Sequence, residues 1–187
     1  MAVARGRAKR SAGLTLVEFL LVIGISSVLL GLAAPFFTHA IHNARLSALT
    51  NDLLADLGLT RSEAIRRGQR VVLCKAAGEA ACASSGDWNQ GWLMFVDANN
   101  NAWLDAGEHV LRHRASTPAG WGVEGNTWVS SHVSYHPLGR TLQVNGAFQA
   151  GTITICRQSA SATQARQIVI NSMGRPRVQA IELPRCG

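Results

Sequence analysis

The stretch "SAGLTLVEFLLVIG", residues 11–24, sets the architecture of the whole chain. It opens an apolar run from Leu14 to Phe37 that is long enough for a helix to cross a bilayer, which takes about 20 residues. From Phe19 to Phe37 no side chain is charged, yet Glu18 sits at the start of the run. A lone carboxylate in hydrocarbon costs a few kcal/mol, so Glu18 calls for a partner or a role.

Upstream, "MAVARGRAKRSAG" holds Arg5, Arg7, Lys9 and Arg10 and no acid. Such a flank stays in the cytoplasm, which puts the remainder of the chain on the other side. The small residues Ser11, Ala12 and Gly13 precede the apolar run instead of following it. Cleavage there leaves the apolar helix on the mature protein, unlike cleavage of an ordinary secretory signal.

Downstream, Ile41, Leu46, Leu49, Leu53 and Leu57 recur at helical steps. One helix is therefore expected from about Leu14 to Arg67, with Pro35 as a kink and Gly68 as its stop. Past Gly68 the texture turns to short β-like runs: "RVVLCK", "GWLMFVD", "EHVLRHR", "WVSSHVSYHP", "RTLQVN", "GTITICRQ", "RQIVINS" and "RVQAIEL". "MGRP" between the last two is a natural hairpin turn around Gly174. The expected fold class is α+β, a long helix on a mostly antiparallel sheet. The expected divisions are 1–13 (leader), 14–37 (membrane-spanning helix), 38–68 (amphipathic continuation) and 69–187 (β-rich domain).

The 187 residues carry a formal charge of +7, unevenly spread. Residues 51–111 are net acidic, whereas residues 112–187 hold eight arginines against two acids. A basic C-terminal half outside the cytoplasm suits a polyanionic or acidic partner. The four cysteines, Cys74, Cys82, Cys156 and Cys186, all lie beyond the apolar run. An even count in an exported domain reads as two disulfides. Three pairings are possible; Cys74–Cys82 with Cys156–Cys186 is preferred because the first closes a short Gly/Ala-rich loop. The spacing is poor for zinc.

"G-LTLVEFLLV" resembles the type IV prepilin cleavage signature, and Pro35 falls where pilins commonly carry a helix-kinking proline. Leu14 departs from the usual phenylalanine at the first mature position. The blocks "WNQGWLMFVDANNNAWLDAGEHVLR", "YHPLGRTLQVNGAFQAGTITICR" and "RQIVINSMGRPRV" resemble the GspH/FimT group of minor pilins and pseudopilins. The resemblance implies the type IV pilin fold, and cutting between Gly13 and Leu14 by a prepilin peptidase that also methylates Leu14. It implies that Glu18 pairs with the N-terminal ammonium of a neighbouring subunit in a filament. A buried carboxylate becomes tolerable once it meets a cation. The implied partners are other pilins or pseudopilins, the peptidase and, before assembly, inner-membrane lipid. The implied location is the inner membrane, single-pass, with the C-terminal domain periplasmic, then extracellular in a pilus.

"SMGRPRV" further resembles the Gly-Arg-x-Arg motif of FimT-type pilins that bind DNA in natural transformation, with Gly174, Arg175 and Arg177 at its fixed positions. Glycine permits a tight turn, and two arginines two apart on a strand share a side. The guanidinium fork suits phosphate, so double-stranded DNA is the implied ligand. Arg140, Arg157, Arg166 and Arg185 are candidates to widen the patch. The alternative is a structural subunit, FimU-like or GspH-like, at the tip of a type IV pilus or type II secretion pseudopilus.

Other constellations carry less. Asp97, Asn99, Asn101, Asp105 and Glu108 have EF-hand-like spacing, but Ala102 replaces the turn glycine and the segment joins two strands. An Asx-rich turn is the expectation there. His109/His113 and His132/His136 are each four apart, which on strands reads as surface histidine. Trp88, Trp92, Trp103, Trp121 and Trp128 read mostly as packing. No nucleophile elbow and no phosphate-cradling glycine loop occurs, so neither an enzyme nor a cofactor is expected.

Overall fold

The computed structural model describes residues 15–186, except the side chains of residues 32–36. Gly13 and Leu14, and with them the expected cleavage point, lie outside the described residues. The chain divides into two compact units, one ending at Ile41 and one beginning at His42.

The first unit is helical from Leu16, where α1 (Leu16–Arg67) begins. Thr15 caps it: its hydroxyl accepts the backbone N–H of Glu18 at 3.2 Å, supplying one of the partners that a helix's first amides lack. Leu16, Val17, Phe19, Leu20 and Ile25 are all exposed, as expected of a helix that is greasy all round. Helical backbone continues through Pro35, whose imide cannot donate to the carbonyl four residues back. Among the described residues no helix is long and apolar enough to cross a membrane. The undescribed side chains of residues 32–36 fall inside the apolar run.

In the second unit α1 changes character. Leu46, Leu53, Leu57 and Ala64 are buried, with Thr50 and Thr60 between them. These six alternate steps of four and three, which makes one stripe. Both threonine hydroxyls donate at 2.6 Å to the carbonyl four residues back, so the stripe buries no unpaired hydroxyl.

The strands form two antiparallel sheets rather than the one expected. The first has order β3-β2-β1-β5, from β1 (Arg70–Lys75), β2 (Trp92–Asp97), β3 (Val110–Arg114) and β5 (His132–Tyr135). The second has order β4-β6-β7-β8, from β4 (Trp121–Gly125), β6 (Gly151–Arg157), β7 (Thr163–Ile170) and β8 (Pro176–Leu183). One core holds the α1 stripe with Val71, Leu73 and Met94 of the first sheet and Ile153, Ile155 and Ile168 of the second. Each large aliphatic fully withdrawn from water there contributes about 1.5–3 kcal/mol. The other face of β1 and β2 packs Val72, Leu93 and Phe95 with Ala102 and Leu104 of the β2–β3 loop. Both central strands are therefore buried on both faces, which is why they read as unbroken apolar runs.

Two disulfides, Cys74–Cys82 and Cys156–Cys186, give the preferred pairing. Two strand expectations are corrected. "RTLQVN" makes only isolated bridges, Tyr135↔Thr141 and Leu142↔Phe148. "WGVEG", a glycine-rich segment, is strand β4. Its glycines answer to packing: a Cβ on Gly125 would strike the Val129 carbonyl, and one on Gly122 would press on Cys186 Sγ at 3.3 Å.

Candidate functional site

The β7–β8 connection is a tight loop of fixed geometry. Gly174 N donates to the Asn171 carbonyl at 2.9 Å, and Arg175 N donates to Asn171 Oδ1 at 3.0 Å. Gly174 has φ of 72°, the left-handed region where glycine is favoured. It is also sterically required: a Cβ there would lie 2.5 Å from the Gly139 carbonyl oxygen and 3.0 Å from Tyr135 Cε1. The strand register sets Arg177 opposite Val169 and Gln179 opposite Gln167. Arg175 and Arg177 are both exposed.

The surface that Gly174 meets is a second loop of the same build, "HPLGR" (136–140) against "NSMGR" (171–175). Gly139 N donates to the His136 carbonyl at 2.7 Å and His136 N to the Arg140 carbonyl at 2.9 Å. In the β7–β8 loop Asn171 N reaches the Arg175 carbonyl at 3.5 Å. Gly139 likewise has positive φ, 75°. Both are three-residue hairpin loops closed by a left-handed glycine. Arg61 of α1 donates from Nε to the Gly139 carbonyl at 2.7 Å, which fastens this loop to the helix.

The two loops concentrate positive charge. Arg140, Arg175 and Arg177 make no ion pair among the described residues, while Glu63 pairs with Arg66 and Arg67, and Asp56 with Arg112 and Arg114. Arg140 Nε is buried without a hydrogen-bond partner. Burial, then the Arg140 and Arg70 charges, hold the His136 imidazole below its ordinary pKa. Burial pushes the Tyr135 phenol well up. Of the arginines considered as widening the patch, only Arg140 adjoins the turn. Arg166 lies opposite Ala180, on the other parity of β7 from Val169. Arg157 ends β6 and contacts His42 Nδ1 at 2.9 Å. Arg185 is exposed beyond β8.

The remaining candidates sit in structural settings, though His132, expected at the surface, has its Nε2 buried without a hydrogen-bond partner. The Asp97–Glu108 segment is closed on itself: Asp97 accepts the amides of Asn101 and Ala102, Glu108 those of Ala98 and Asp105. Asn99 and Asn101 both donate to Asp105 Oδ2. Asn100 and Ala102 take positive φ. No group of three or more His, Cys, Asp or Glu residues that could hold a metal occurs among the described residues. His109 is exposed just before β3, and His132 contacts Ser131 Oγ at 2.9 Å. Trp88, Trp92 and Trp121 are buried, whereas Trp103 and Trp128 are exposed.

Residues 49–174 match the family described as Type II transport protein GspH. The chain is 32% identical over 170 residues to the pilin-like protein PilA1 of Thermus thermophilus, covering 89% of this chain and 97% of that one. This chain is a minor pilin or pseudopilin of the GspH/FimT family. Its fold is the type IV pilin fold. Two crystal forms of the type IV minor pilin FimU from Pseudomonas aeruginosa superpose with TM-scores of 0.53 and 0.52. Those structures are 19% and 18% identical and cover 78% and 71% of this chain, and 92% and 91% of their own. Pilins and pseudopilins of this family are filament subunits, and this minor pilin shares that role in a type IV pilus or type II system.

Two features of the minor pilin were missed in its sequence. "LGR" and "MGR" are short matching segments in the sequence, but nothing local says that they meet. The buried Asp56 gave no signal, because an acid on an amphipathic helix reads as solvent-facing until its partners are known.

Proposed function

We propose that this minor pilin binds double-stranded DNA without reading its base sequence, as a DNA-capturing subunit in natural transformation. The observation that carries the reading is the exposure of Arg175 and Arg177, unpaired, beside a turn that Gly174 locks against Gly139. Guanidinium groups held on a rigid turn meet phosphates with little ordering left to do. Each phosphate neutralised adds about 0.9 to the salt slope of binding. The role is one of binding and assembly, with no catalytic step and no cofactor.

The rest of the reading follows the motif at the N-terminus. A prepilin peptidase cuts between Gly13 and Leu14 and methylates Leu14. Residues 14–37 hold the subunit in the inner membrane as a single pass, with the C-terminal domain periplasmic, until it enters the filament. There Glu18 meets a neighbour's terminal ammonium and Pro35 bends the helix.

The test is gel-shift binding of duplex DNA by the full chain in detergent, across a salt series, with and without Arg175→Gln/Arg177→Gln. Salt-sensitive binding that the double variant loses, while pili still assemble, supports DNA capture. A purely structural tip subunit is favoured instead if wild type binds no DNA at low salt, or if the variant's defect is in piliation or secretion.

A further inference from the structure

The twin loops share one feature that phosphate binding does not use. Each places an apolar side chain in front of its glycine, Leu138 before Gly139 and Met173 before Gly174. Both are strongly exposed, 72% for Leu138 and 60% for Met173. Exposed apolar residues on isolated turns are common and need no account. Here they sit on two adjoining loops of matching hydrogen-bond pattern: the open side of Gly174 faces the Gly139 carbonyl, and that of Gly139 faces Ile65 and Arg61 of the helix. The adjoining loops thus each expose one apolar side chain, followed two residues later by an arginine, Arg140 and Arg175.

We infer that Leu138 and Met173 form an apolar wedge that enters the minor groove of bound duplex DNA and partly unstacks a base step. The inference rests on the DNA-capture reading and adds its mode: the DNA is deformed as well as held. The chemistry is that of side chains such as Leu and Met prying a step apart while flanking arginines hold the backbone on either side. A rigid mount is needed, because a loop that yielded would not transmit the unstacking cost to the DNA. The closed bonds of both loops provide it, with Arg61 holding the Gly139 loop and the Thr141 hydroxyl donating to the Asn171 carbonyl at 3.2 Å. Easily kinked pyrimidine–purine steps are then preferred, a preference arising from deformability without base-edge contacts. A lipid surface is the less favoured occupant. The tip carries no Trp or Tyr of the kind that anchors at a bilayer interface, and two aliphatic side chains offer little area to hold a domain there.

The experiment uses the full chain in detergent and a duplex labelled at both ends for energy transfer, with a central TA step. Leu138→Ser/Met173→Ser is compared with wild type, and thermal unfolding verifies that both are folded. The expected result is a rise in transfer on wild-type binding, corresponding to a bend of about 20–90°. The double variant is expected to lose that rise while keeping the salt slope, since its arginines are intact. Wild type that binds with an unchanged transfer signal overturns the wedge and leaves DNA capture standing. So does a variant that bends DNA as wild type does and loses only binding to phosphatidylglycerol vesicles, which makes the tip a lipid contact. Wild type that binds no DNA at low salt overturns both readings together.

Discussion

Trp92 Nε1 of β2 donates to Asp56 Oδ2 of α1 at 2.9 Å, and Asp56 is fully buried. The same carboxylate receives Arg114 Nε at 3.0 Å and lies 3.1 Å from Arg112 NH1. The Arg112 contact reaches Asp56 Oδ1 off the angle of a hydrogen bond, so it is an ion-pair contact only. One acid thus joins the helix to two strands of the first sheet. Asp56→Ala strips these donors of their acceptor. The expected loss is about 3 kcal/mol, the low end for breaking a buried pair, because both arginines are partly exposed and rehydrate. Trp92→Phe removes one donor and is expected to cost less. Denaturant unfolding of the two variants checks both the loss and the order.

Gly174→Ala tests the turn independently of charge. The left-handed backbone alone costs about 1–2 kcal/mol with a Cβ, and the methyl must also displace the Gly139 carbonyl. Gly146 is the control, since its φ is 82° and a Cβ there meets nothing within 4 Å. Melting temperature is expected to fall further for Gly174→Ala than for Gly146→Ala, and DNA binding to weaken only in the former.

Acid is expected to destabilise the domain through His132. Its pKa lies below the ordinary 6.5, first through burial and then through the Arg70 charge. The unfolded chain takes up a proton near pH 6.5 that the folded chain refuses until lower pH. Stability is therefore level above that pH and declines below it. His136, also lowered, adds in the same direction. His132→Gln should flatten the decline measured by thermal unfolding between pH 7.5 and 5; an unchanged slope would exclude His132 as its source.

The two disulfides are expected to differ in worth. Loop closure over a separation of 8 residues gives about 2.5 kcal/mol for Cys74–Cys82, and over 30 residues about 3.6 kcal/mol for Cys156–Cys186. Paired Cys→Ala variants, compared by denaturant midpoint, check the order.

What was legible in the sequence followed periodicity. The Leu46–Leu53–Leu57 stripe and the "RVVLCK" and "GTITICRQ" runs announce their elements, because burial demands a fixed spacing. β4 carries no strand-like pattern, since "WGVEG" owes its place to the side chains it lacks, at Gly122 and Gly125. "RTLQVN" misled in the other direction: its alternation is that of a strand, yet it bridges only at Thr141 and Leu142. The split into two sheets depends on which strands pair, and pairing between distant segments leaves no local mark. At the site, Gly174 and Arg175 were readable as a motif. The matching loop at Gly139 was not tied to it, because only the fold brings residues 139 and 174 together.

The Cys156–Cys186 bond has a mechanical meaning for a filament subunit. It fastens the residue beyond the end of β8 to β6, so β7, the arginine turn and β8 lie inside one covalent ring. A pull on Arg175 and Arg177 cannot peel β8 away from its far end like a zipper. The load passes instead along the strands of the ring, which the disulfide closes at its far end.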